Sequence, residues 1–164
     1  MCDSKLILGI DPGTATTGFG VIEVKDGELK FIDCGCICTE SKLEMPFRLH
    51  CIAKDLKKII RDYKPDLAAV EDLFFFKNAK TALKVGQARG VVLQTLATAK
   101  IPISEFTPLQ VKQALTGYGR ADKRQIQEMV KTILNLADIP KPDDAADALA
   151  VAITLGHVRR SGKT

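Results

Sequence analysis

A chain of 164 residues, 46% hydrophobic and 27% charged, is long enough to bury one sizeable core and short enough to argue for a single domain. Its formal net charge of +4 leans basic, which by itself is weak grounds for a nucleic-acid partner. No apolar run is long enough to cross a bilayer, and the opening "MCDSK" lacks the apolar stretch of a secretory signal, so a cytoplasmic protein with no membrane association is expected.

Residues 5–10 form a continuous apolar run that reads as a strand, and 18–24 and 29–37, rich in β-branched and apolar residues, add two more in a meander around the turn "KDGE". Asp11 follows the first run directly and precedes the turn "PGTATTG". That local chemistry suits a metal-holding carboxylate and a turn that cradles nucleotide phosphates equally well. The third strand places Cys34, Cys36 and Cys38 on one face, where thiols behave as small buried hydrophobes. With Cys2 and Cys51 they make five, an odd number that suits a reducing compartment, and Cys-x-Cys-x-Cys lacks the paired spacing of structural zinc, so no zinc is expected.

From Pro46 to Tyr63 apolar residues follow the helical period, and "KPD" closes the segment. "LAAVE" is a short buried strand ending in Glu71. Residues 79–99 form a long helix that is apolar on more than one side (Leu83, Val91, Leu96), which fits a dimer contact and a buried helix equally. "PISEF" is a further strand and "TPLQVKQAL" a short helix. The last third holds the helices "ADKRQIQEMVKTILN", with Asp122 near its start, and "PDDAADALAVAITLGHVRR". Five strands alternating with helices imply an α/β protein with a mixed sheet, in one domain over 1–164, with 158–164 as a frayed tail.

Asp11 and Glu71 both end strands, and in an open sheet the carboxyl ends of neighbouring parallel strands line one crevice. Asp144 and Asp147, at i and i+3, lie beside the apolar stripe Ala148, Leu149, Ala152, Ile153 and Gly156 that should pack on the sheet. Asp143 with Asp147, at i and i+4, is an equally plausible pair, and periodicity does not choose between them. Carboxylates brought this close require a cation, and all-oxygen ligands favour magnesium or manganese. Two such ions, typically about 3.5–4 Å apart, serve phosphodiester hydrolysis. Each acid also has a plain structural use, Asp11 as a turn former before Pro-Gly and Asp143, Asp144 or Asp147 as complements to a helix N-terminus. Basic residues fall in two segments, Lys77, Lys80, Lys84 and Arg89 in one and Lys112, Arg120, Lys123, Arg124 and Lys131 in the other, although solvated helix faces carry such charges routinely.

Taken together, "ILGIDPGTATTGFGVI", "AVEDLFFFKNAKTALKVGQARGV", "VKQALTGYGRADKRQIQEMV" and "DDAADALAVAITLGH" resemble the RuvC family of Holliday-junction resolvases over nearly the whole chain. The resemblance implies a ribonuclease H-like fold, a central mixed five-stranded sheet flanked by helices. It implies Asp11, Glu71, Asp144 and Asp147 as catalytic and metal-binding residues, preferring Asp144 to Asp143. It further implies Mg2+, two ions per site with Mn2+ as a substitute, and no nucleotide cofactor. Lys112 and Lys123 match basic residues near the scissile phosphate, and Phe74 an aromatic set against an unstacked base. Lys77, Lys84 and Arg89 complete the expected DNA contacts. The expected substrate is four-way junction DNA, cut by a homodimer in paired symmetric nicks that leave 5′-phosphate and 3′-hydroxyl ends, with RuvA and RuvB as partners. Asp72 after Glu71 and Asp143 beside Asp144 depart from the family pattern without removing a ligand. Three other readings compete: an actin-like ATPase, which needs a second domain this chain is too short to hold; another ribonuclease H-like nuclease acting on RNA; and a junction-binding protein without catalysis.

Overall fold

The computed structural model describes residues 4–72 and 78–162. Strands β1 (Lys5–Asp11), β2 (Thr16–Lys25) and β3 (Glu28–Cys38) form an antiparallel meander. Asp26 and Gly27, with φ of 52° and 82°, form the hairpin turn between β2 and β3, the left-handed pair that a two-residue connection requires. Helix α1 (Met45–Tyr63) then crosses to β4 (Leu67–Glu71), helix α2 (Ala79–Thr98) to β5 (Ile103–Phe106), and α3 (Pro108–Thr116), α4 (Lys123–Ile133) and α5 (Asp143–Ser161) follow. The strand order is β3-β2-β1-β4-β5, with β1, β4 and β5 parallel. This is the mixed five-stranded sheet that the sequence implies.

Strict alternation along β1 divides the core. Leu8 and Ile10 face one side, where they meet Ile52 and Leu56 of α1 and Ala88, Val92 and Leu96 of α2. Ile7 faces the other side and meets Leu149, Ala152 and Ile153 of α5. Reciprocal capping boxes start α3, from Thr107 and Gln110, and α4, from Asp122 and Gln125, each satisfying two backbone donors.

Helix α5 is buried at every residue from 145 to 156 except Asp147. The sequence stripe accounts for the sheet-facing side alone; α3 and α4 cover the opposite side, so this helix is apolar all round. Its seat on the sheet depends on glycine. A Cβ on Gly9 would lie 2.1 Å from the Ala148 carbonyl oxygen, and one on Gly18 would lie 2.0 Å from that of Asp144. The helix also runs on through Ser161, past the point where a frayed tail is expected, with basic Arg159 and Arg160 in a last turn whose dipole they complement. Cys34 and Cys36 are half-buried, Cys34 against the core, but Cys38, at the open end of edge strand β3, is exposed and departs from the expected buried face.

Gly9→Ala is expected to destabilise the protein by about 1–3 kcal/mol, the usual cost of overpacking a close contact. Urea unfolding of the two proteins measures it, and an unchanged midpoint would show that α5 can lift from the sheet at no cost.

Candidate active site

The parallel register of β1 and β4 sets Ile10 opposite Val70, so the next residue on each strand, Asp11 and Glu71, end side by side. Alternation turns both toward α5. Because Gly18 admits the Asp144 backbone, the start of α5 reaches the same point. One carboxylate oxygen each from Asp11, Asp144 and Asp147 lie within 4.8 Å of one another, all three residues half-buried. The side chains of Asp11 and Glu71 lie close enough for each to perturb the other's ionisation. Glu71 and Asp147 also line a cleft of about 180 Å³ with Lys112, Lys123, Pro108 and Val111.

Asp143 is excluded from this cluster. It is exposed, and its carboxylate accepts from Gln127 Nε2 at 3.1 Å and pairs with Lys123 Nζ at 3.2 Å. The ambiguity in spacing is therefore resolved by the helix's rotation on the sheet, which turns the i, i+3 pair inward. Lys123 Nζ also lies 3.7 Å from Asp147. Partial burial alone would lower the ammonium's pKa, but the hydrogen bond to Asp143 and the charges of Asp147, Asp143 and Asp144 together raise it.

The acids carry more negative charge than the site can neutralise. Burial, then the hydrogen bond and charge of Glu71 and the charge of Asp144, push Asp11 from its ordinary 3.8 up to about 9. Burial also raises Glu71, against the opposing effect of the Asp11 hydrogen bond. Burial and the charge of Asp11 bring Asp147 to about 6. Burial and the neighbouring acids thus favour the protonated form of Asp11. An all-oxygen, half-buried set with surplus charge fits a hard divalent cation.

The turn behind Asp11 is occupied by internal bonds. Thr14 Oγ1 donates to the Lys84 carbonyl of α2 at 3.0 Å, Thr17 Oγ1 to the Gly13 carbonyl at 2.7 Å, and Thr39 Oγ1 to the Thr14 carbonyl at 2.6 Å. Arg48 Nε in turn donates to Thr39 Oγ1 at 2.8 Å. These threonines brace Asp11 instead of forming an open phosphate cradle, a role that the run "TATT" signals only as hydroxyl content. Lys84 keeps its side chain exposed, as does Lys80. Arg89, expected among the DNA contacts, is engaged within the chain. Only 17% exposed, it pairs with Asp72 at 3.0 Å and Glu105 at 2.7 Å, joining the ends of β4 and β5. Phe74 and Lys77 lie outside the described residues.

The family model for crossover junction endodeoxyribonuclease RuvC matches residues 7–155. The chain belongs to the RuvC family. It is 55% identical to the crossover junction endodeoxyribonuclease RuvC of Syntrophomonas wolfei over 94% of this chain and 90% of the relative. It is 60% identical to that of Roseiflexus sp. over 89% and 87% respectively. Among solved structures, T. thermophilus RuvC in complex with Holliday junction substrate matches with a TM-score of 0.90 and 35% identity, over 96% of both chains. The carboxylates of this RuvC-family chain come from β1, β4 and α5, all within or bordering the matched span.

Unfolded, Asp11 ionises near 3.8; folded and free of metal, it does so near 9. The folded state then holds a proton that the unfolded state has released, so the stability contributed by this group falls as pH rises between those values. Asp11→Asn is therefore expected to melt several degrees above wild type near pH 8 in chelator, with the gap closing toward pH 4. Thermal melts across pH check this; a gap that widens on acidification would refute the charge assignment.

Proposed function

We propose that this chain is a crossover junction endodeoxyribonuclease that resolves four-way DNA junctions, with Asp11, Glu71, Asp144 and Asp147 as its metal-binding and catalytic residues. The observation that carries this reading is the convergence of three carboxylates within 4.8 Å, beside Glu71, in a chain that follows junction-bound T. thermophilus RuvC over 96% of its length. Asp11, Glu71, Asp144 and Asp147 would hold magnesium, two ions per site with manganese as a substitute, which would supply Lewis acidity and a water of lowered pKa.

The chain's own residues account for the rest of the reaction's requirements. Burial and the neighbouring acids favour the protonated form of Asp11, so metal loading would be coupled to proton release. Lys123, paired with Asp143 and Asp147, and Lys112, half-buried in the same cleft, stand where a phosphate would enter and can offset its charge. In-line hydrolysis leaves a 5′-phosphate and a 3′-hydroxyl. Phe74 stacks on an unpaired base at the crossover, and Lys77 and Lys84 contact backbone phosphates.

Two copies act together as a homodimer, which suits paired nicks in like strands of a twofold-symmetric junction. Helix α2 supports this arrangement: it buries Ala88, Val92 and Leu96 inward and leaves Leu83 66% exposed. Among the described residues no helix is long and apolar enough to cross a membrane. Action in the cytoplasm, beside RuvA and RuvB, completes the proposal.

The test is strand cleavage of a mobile four-way DNA junction and a matched linear duplex, with magnesium or chelator. Wild type is expected to place paired symmetric nicks in the junction alone and only with metal, while Asp11→Asn binds the junction without cutting it. Binding by wild type without cleavage, across metals and junction sequences, would make this a structural DNA-binding protein instead.

A further inference from the structure

Helix α1 carries a row of cations that neither the fold nor the active site uses. His50, Lys54, Lys57, Lys58 and Arg61 recur at helical spacing on the face opposite Ile52 and Leu56, and all five are exposed. Their side chains line a concavity of about 470 Å³ together with Ala53 and one acid, Asp55. Arg61 is paired with Asp62, at 3.3 Å. Lys54, Lys57 and Lys58 have no ion-pair partner among the described residues.

The arrangement works against the helix. Lys54 has Lys57 and Lys58 as its i+3 and i+4 neighbours, and Arg61 stands in the same relation to Lys58 and Lys57. Like charges at these separations repel. The helix dipole accounts for Arg61, in the last turn, but not for lysines in the middle of the helix. Asp55 and Asp62 stand at i−3 and i+4 from Lys58 and offset part of this charge, but among the described residues neither forms an ion pair with Lys54, Lys57 or Lys58. Compensating charge from outside the chain would offset the rest, and a line of cations suits a line of phosphates.

The stripe is also well placed to meet one. Strand β3 ends at Cys38, opposite Thr16 and so at the Asp11 end of the sheet. Helix α1 starts from that end and returns to the start of β4 at the far end. At 1.5 Å per residue, Lys54 lies about 13 Å and Arg61 about 24 Å along it. Helix α1 packs on the Leu8 and Ile10 face of the sheet, across from the acids, so an arm that bends round the active-site end and runs down this opposite layer would meet the stripe away from the crossover.

We propose that the α1 stripe Lys54, Lys57 and Lys58 is a secondary phosphate-binding track for an arm of the DNA junction. This rests on the resolvase reading above. The track reads charge alone, and it acts at a distance from the reacting phosphate.

The test is the salt dependence of junction binding by the full chain, measured by fluorescence anisotropy on long-armed and short-armed four-way junctions. For the triple variant Lys54→Gln/Lys57→Gln/Lys58→Gln, the slope of log K against log salt is expected to become shallower by about 0.9 for each phosphate that the variant no longer neutralises. The change should appear on long arms only, with cleavage of the short-armed junction unchanged. The matching triple Lys→Arg variant is expected to keep the wild-type slope, which separates charge from packing. An unchanged slope on long arms, with wild type still binding and cutting, overturns the track and leaves the resolvase reading intact. Equal weakening on both junctions also overturns it, since the lysines would then act at the crossover. If wild type neither binds nor cuts a junction, the resolvase reading fails and the track fails with it.

Discussion

The close seat of α5 on β1 and β2 is the constraint on which the rest of this protein depends. Backbone atoms of the helix occupy the space that side chains at Gly9 and Gly18 would fill. That contact brings the Asp144 main chain against the sheet, and it fixes the rotation that turns Asp144 and Asp147 inward and Asp143 outward. Burial of the helix on all sides, by the sheet on one and α3 and α4 on the other, makes the position rigid. A carboxylate cluster needs such rigidity, because acids that repel one another would separate on any element free to move.

Electrostatic strain is the consequence, and the chain distributes it. Burial favours the protonated form of Asp11, Lys123 pairs with Asp147 and Asp143, and the Thr14, Thr17 and Thr39 hydrogen bonds hold the turn behind Asp11 against α2 and β3. Arg89 ties Asp72, immediately after Glu71, to Glu105 on β5. Its charge thus serves the frame of the site, with both carboxylates meeting one guanidinium nitrogen, Nη2. The site is a set of acids kept together by covering contacts, a condition under which a divalent cation would bind with proton release.

Charge on this protein is divided by place. The acids converge at the carboxyl ends of β1 and β4, while the lysines of α1 spread along the opposite layer. A net charge of +4 conceals that separation, since an average over the chain says nothing of which residues share a surface.

Much of this was legible in the amino-acid sequence because it depends on local order. Alternation and helical period placed the strands and helices within a few residues, "KDGE" marked the hairpin, and Asp11 and Glu71 stood at strand ends. Family membership was legible as well, in motifs spread over nearly the whole chain. Other properties belong to the tertiary structure. The choice of Asp144 over Asp143 depends on helix rotation, because i, i+3 and i, i+4 pairs both share a helix face. The pairing of Arg89 depends on two strands meeting, and the exposure of Cys38 on β3 being an edge. Adjacency of β1 and β4, separated in sequence by two strands and a helix, decides that Asp11 and Glu71 share one site at all. Local sequence sets which side a residue faces; only the packed chain sets what it faces.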